Sequence, residues 1–200
     1  MPGSELKKEM ARRQLGTALA LFLADDDPVS VHCLACGGGE IADFLAKEAG
    51  EKAFSQHALD VHPDMKQSDL TYLRNKYWNA MKHALRRDGK TRDDDDLLAD
   101  FDDAQNEHYL YIGWHDYASA VGSLPIEAQV FQVWYFAKFP EKLSSEFSTE
   151  QFERLFPDLV KMKRNEQKRV LRRRIAWARR NADVMQHPRT ERRKLIIGAI

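Results

Sequence analysis

The chain has 200 residues, 43% of them hydrophobic, with 4 Trp and 10 Phe, enough to bury one substantial core and too apolar for a chain disordered throughout. Lys/Arg and Asp/Glu balance at 31 each, yet Lys161 to Lys194 carries 14 Lys/Arg against Glu166, Asp183 and Glu191, leaving 17 basic against 28 acidic residues elsewhere. The opening MPGSELKKEMARRQ lacks an apolar signal core, and no run of about 18 uncharged apolar residues occurs, so a soluble cytoplasmic protein with no membrane segment is expected.

Glu5 to Ala24 reads as a first helix, with Ala11, Leu15, Ala18, Leu19, Phe22 and Leu23 on one side. Asp25-Asp26-Asp27 ends it, and Asp27-Pro28 opens a second helix to Glu48: the aspartate can cap, and proline fits the first helical position. The short turn predicts a helical hairpin. Val31, Leu34, Ala35, Gly38, Ile41, Ala42 and Leu45 recur at helical intervals and predict a buried face. Beside it His32, Cys36, Glu40 and Asp43 form a second stripe, where any site should lie. Gly37-Gly38-Gly39 conflicts with a helix at about 1 kcal/mol per glycine. Either a neighbouring helix approaches closely there, or the helix breaks.

Glu51 to Gln67 lacks periodicity and is expected to be a loop with at most one helical turn. Ser68 caps a third helix whose Leu70, Leu73, Tyr77, Ala80, Met81 and Ala84 should point inward, with Asn75, Asn79, Lys82 and Arg86 opposite. Arg86 to Lys90 is turn-like. Asp93 to Asp96 supplies the anionic first turn of a fourth helix to about Val121. Ile126 to Phe139 is a fifth, apolar nearly all round. After Pro140 the character changes: Ser148 to Gln151 has capping-box spacing, and a basic helix runs from Asp158 to about Met185. Val170, Leu171, Ile175 and Ala178 give that helix a thin apolar stripe and predict an arm. The apolar Leu195 to Ile200 should dock on its own chain or a partner. No strand signal is present.

Cys33 and Cys36 make a CxxC with no strand before it, which favours small buried thiols over redox chemistry. His32, Glu40, His83, Glu107, His108 and His115 are potential metal ligands, but their spacing matches neither HExxH nor a bundle Glu-x-x-His pair, so no metal is expected. The glycine triplet follows no strand and is no phosphate loop, so no nucleotide cofactor is expected either. A histidine near neutral pKa can serve as general acid or base in phosphodiester cleavage, and a neighbouring lysine can stabilise the phosphorane, which marks His83 and Lys82. The competing reading is a structural histidine and a solvated lysine. In the basic segment Lys168, Arg169, Arg172, Arg173, Arg174, Arg179 and Arg180 have the density to neutralise phosphates, and Trp177 can stack on a base. Docking on the acidic remainder of the chain or a partner explains the same charge.

Asp27 to Leu45, with PVSVHCLAC and Glu40, followed by NAMKHA at Asn79 to Ala84, resembles a family of small bacterial helical proteins of unassigned activity. More loosely, Leu15 to Phe139 resembles the HEPN superfamily, helical bundles that include metal-independent ribonucleases. The resemblance implies an RNA-cleaving site at a dimer interface, with His83 in the histidine position, Glu40 in the acidic one, and Asn79 and Lys82 beside them. The family arginine lies four to six residues before its histidine, whereas Arg74 precedes His83 by eight intervening residues. The expectation is therefore an all-α protein, a five-helix bundle over 1–140 with a basic helical C-terminal extension over 141–200. It would be a homodimer that binds RNA or another nucleic acid, or alternatively a non-enzymatic assembly module.

Overall fold

A computed structural model describes residues 5–143 and 148–198. The described residues form ten α-helices and one pair of two-residue strands, so the chain is all-α in class. None of those helices is long and apolar enough to cross a membrane. The chain divides into two compact units, one running to Gly122 and regaining the segment from Ile196, the other Ser123–Leu195. Gly122 closes a helix with φ +79, the left-handed conformation that favours glycine at such an end.

In the first unit α1 (Glu5–Ala24) and α2 (Pro28–Glu48) form the expected hairpin. Asp27 caps α2 by accepting from the backbone N–H groups of Val29 and Ser30. The glycine triplet does not break α2. A Cβ on Gly38 would lie 2.8 Å from Leu15 Cγ and 3.2 Å from the Ala11 carbonyl, so α1 presses directly on the bare backbone there. On the other side a Cβ on Gly39 would lie 3.5 Å from Gly113 Cα in α6 (Ala104–Val121). His32 meets Asn106 and Gly39 meets Gly113, seven residues further along both, so α6 runs parallel to α2. The first stripe of α2 is therefore buried at Val31, Ala35, Ala42 and Leu45, and the second at His32 and Cys36, whereas Asp43 is half-buried and Glu40 exposed. Leu34 and Ile41 stay half-buried.

Three expectations in this unit need correction. The stretch after Glu51 is not a loop: α3 (Phe54–Val61) forms two turns, held at its start by Phe54 N–H donating to Asp116 Oδ1 at 2.7 Å. That acceptor is 62 residues away and leaves no local sequence signal. The next helix, α4 (Gln67–Lys82), buries Leu70 and Tyr77, but Leu73 is 46% exposed and Ala84 lies beyond its end. The aspartate run does not lead one long helix. Asp95 and Asp96 sit in the first turn of the short α5 (Asp95–Ala99), and α6 restarts after Asp102, whose carboxylate accepts from Ala104 N–H. The C-terminal segment returns to α1, where Arg13 donates to the carbonyl of Gly198 at 2.8 Å. Residues 199–200 of the apolar tail lie outside the described residues.

In the second unit α7 (Ile126–Lys138), α8 (Glu150–Leu155), α9 (Arg164–Ala178) and α10 (Ala182–Gln186) pack with a parallel strand pair, β1 (Leu124–Pro125) and β2 (Thr190–Glu191). Two-residue strands are too short for an alternation signal. The basic segment is not a detached arm, nor one continuous helix. α9 buries Gln167, Lys168, Leu171, Ile175 and Ala178, and the Trp134 indole N–H of α7 donates to the Gln167 carbonyl at 3.2 Å.

Candidate functional site

The second stripe of α2 carries two different kinds of chemistry. At its N-terminal end His32 is sealed among aromatic rings, 4.5 Å from Tyr109 and 5.1 Å from Phe101 between centroids. Asn106 donates its amide to the Pro28 carbonyl and to Asp103, which leaves its Oδ1 as acceptor for His32 Nδ1–H at 2.9 Å. His32 Nε2 must then accept, and Cys36 Sγ lies 3.5 Å away as its donor. Burial lowers the His32 pKa against the raising effect of Asn106, and burial likewise pushes the Cys36 thiol up. Neutral imidazole and protonated thiol form a structural relay, not a nucleophile and its base. Among the described residues no group of three or more His, Cys, Asp or Glu is placed to hold a metal ion.

Towards the C-terminal end the stripe opens into a pocket of about 170 Å³ between α2, α3, α4 and α6. Asp43 organises it: its carboxylate accepts from Ser55 Oγ at 2.6 Å, Lys47 Nζ at 2.6 Å and Arg74 Nη1 at 3.0 Å. Burial alone would raise the Asp43 pKa, but the hydrogen bonds from Lys47 and Ser55 and the Arg74 charge outweigh it and hold the carboxyl below its usual value. Glu40, one turn earlier on α2, lines the same pocket, as do Thr71 and Asn75.

Of the four residues marked for catalysis, only Glu40 lines this pocket. α4 runs against α2, since Arg74 meets Asp43 whereas Tyr77 has already reached His32. His32 lies eight residues, about 12 Å of helix, before Glu40. His83 follows Tyr77 and caps α4 as an exposed residue, its N–H donating to the Asn79 carbonyl. Lys82 folds back over the Trp78 ring, 3.3 Å from its centroid. Asn79, Lys82 and His83 thus occupy one end of α4, and Glu40 joins Arg74 and Asn75 instead. Arg74 and Asp43 are pocket residues that were not among those marked for catalysis. Asp43 stood in the marked stripe, but nothing in the chain order announces its partner 31 residues on.

The basic segment also divides. Asn165, Arg169, Arg172, Arg173 and Ala176 follow the three- and four-residue intervals of one face of α9 and are all exposed, as is Arg180 just past its end. Trp177 stands at the edge of that face, 49% exposed, and walls an apolar hollow of about 250 Å³ with Val130, Val133, Leu155 and Phe156. Three further residues of the expected phosphate-binding set serve the fold. Lys168 is buried, Arg174 donates to the Leu155 carbonyl, and Arg179 Nε donates to the buried Glu127 at 2.9 Å. No family model, curated protein or solved structure matched the chain.

Proposed function

We propose that this chain binds RNA along the exposed arginine face of α9, with Trp177 stacking on a base at its edge. The carrying observation is that Arg169, Arg172 and Arg173 share one solvent face of a helix whose opposite face is anchored, with the exposed Arg180 just past its end. A fixed row of guanidinium groups can follow a phosphate backbone without the ordering cost a detached arm would incur. Ser123–Leu195 carries 17 Lys/Arg against nine Asp/Glu, so its field attracts polyanions. For single-stranded RNA the expected slope of log affinity against log salt is about −0.7 per phosphate contact, or about −3 for four arginines. Fluorescence anisotropy with a labelled oligoribonucleotide measures it. The double variant Arg172→Ala/Arg173→Ala should flatten the slope by about 1.4, and Trp177→Ala should cost about 1–3 kcal/mol if it stacks. Affinity indifferent to salt would sink the proposal.

The HEPN-like ribonuclease reading adds cleavage by His83 with Lys82 and Asn79, and without Glu40, which lines the pocket around Asp43 instead. The exposure of His83 at the end of α4 favours it, because a phosphodiester could reach the imidazole there. RNA cleavage that His83→Ala abolishes is its expected outcome. The assembly reading, a homodimer held by opposite charge, is favoured by the acidic balance outside Ser123–Leu195, 14 Lys/Arg against 22 Asp/Glu. Sedimentation equilibrium should then show a dimer that dissociates as salt rises.

A further inference from the structure

The charges of the pocket around Asp43 are unequally committed. Asp43 is occupied by Ser55, Lys47 and Arg74. Arg74 engages it with Nη1 alone, and among the described residues no partner meets its Nε or Nη2. Glu40 is exposed, lines the same pocket and likewise has no ion-pair partner among the described residues. The pocket thus offers one guanidinium held in place from behind and one carboxylate without a counter-ion, with Asn75 as a neutral donor and acceptor beside them.

We infer that this pocket binds a small zwitterion of the amino-acid type, its carboxylate on Arg74 and its ammonium on Glu40. The charge balance selects this class. Glu40, Asp43, Lys47 and Arg74 sum to zero, so a lone anion would sit beside two carboxylates and a lone cation beside two basic groups. A ligand carrying both charges meets an opposite charge at each end. Asp43 holds the guanidinium through Nη1 and leaves Nε and Nη2 as a planar fork, which favours a planar carboxylate over a rounder anion. Size agrees: at about 170 Å³ the pocket is comparable to a cavity of about 150 Å³ that holds benzene, room for an amino acid with a short side chain. This assignment is independent of RNA binding and stands or falls without it.

Calorimetric titration of the full chain with three probes tests it: L-serine, N-acetyl-L-serine, which lacks the ammonium, and L-serine methyl ester, which lacks the carboxylate. Serine should bind saturably, and each derivative at least tenfold more weakly. Arg74→Gln and Glu40→Gln should each weaken serine binding at least tenfold. Because Glu40 is exposed, Glu40→Gln should leave the far-UV circular dichroism unchanged, which separates lost binding from lost fold. No saturable heat at about 10 mM serine, well above a 1 mM dissociation constant, overturns the inference. So does equal binding of serine and its N-acetyl derivative, which would make the pocket an anion site.

Discussion

α2 and α9 are both anchored helices, but by opposite means. α2 is covered on two sides: at Gly39 its backbone meets the backbone of α6 at Gly113, and at Gly38 Leu15 and the Ala11 carbonyl of α1 lie against it. α9 is covered on one side only, and two of its five buried residues, Gln167 and Lys168, are polar. Charge density therefore does not decide whether a helix stands free. A narrow stripe is enough when its polar members find partners, as Gln167 does by donating to the Leu159 carbonyl while its own carbonyl accepts from Trp134.

The sharpest way to break this comparison is to remove the anchor of α9. Trp134 is fully buried, stacks 5.7 Å from Phe131 between centroids and donates to Gln167. Trp134→Ala should cost about 3–5 kcal/mol, read by urea unfolding followed by circular dichroism. A loss below about 1 kcal/mol would mean that α9 is a loosely held arm after all. On the α2 side, Gly38→Ala forces a methyl group against Leu15 and the Ala11 carbonyl. It should destabilise by about 1–3 kcal/mol, although alanine is the better helix former by about 1 kcal/mol. Stabilisation by that substitution would show that α1 can shift at no cost.

Smaller effects sharpen the contrast. Asp43→Asn weakens the hydrogen bonds from Lys47, Ser55 and Arg74 and should cost about 1 kcal/mol near neutral pH. The Asp43 pKa is depressed in the folded state, so its stabilisation is present above the unfolded value near 4 and is lost as pH falls through the lower folded value. The gap between wild type and variant, measured by denaturation across pH, should close in that acidic window. Smallest of all, Arg172→Ala/Arg173→Ala removes exposed side chains from α9 and should change stability by no more than about 0.5 kcal/mol per site. A large loss there would mean that these arginines hold the fold, and RNA binding would need another surface.

The chain order made the hairpin legible because its determinants are local: the Asp27-Pro28 cap and two apolar faces at helical intervals. Elements held by distant partners were not legible. α3 depends on Asp116, and α9 depends on Trp134. For the candidate site, the stripe His32, Cys36, Glu40 and Asp43 was readable from its period, and its division into a sealed relay and an open pocket was not. That division depends on what faces each residue: Asn106 and aromatic rings opposite His32, Arg74 opposite Asp43. Likewise the period of α9 was visible, but which arginines face solvent follows from where α7 lies.

The three-residue turn between α1 and α2 also bears on how the chain acquires its shape. Gly38 meets Leu15 across a short loop, whereas Gly113 must cross more than seventy residues to reach Gly39. Loop-closure entropy grows with that separation, so the hairpin is the natural early nucleus, and α6 joins a groove already lined with glycine.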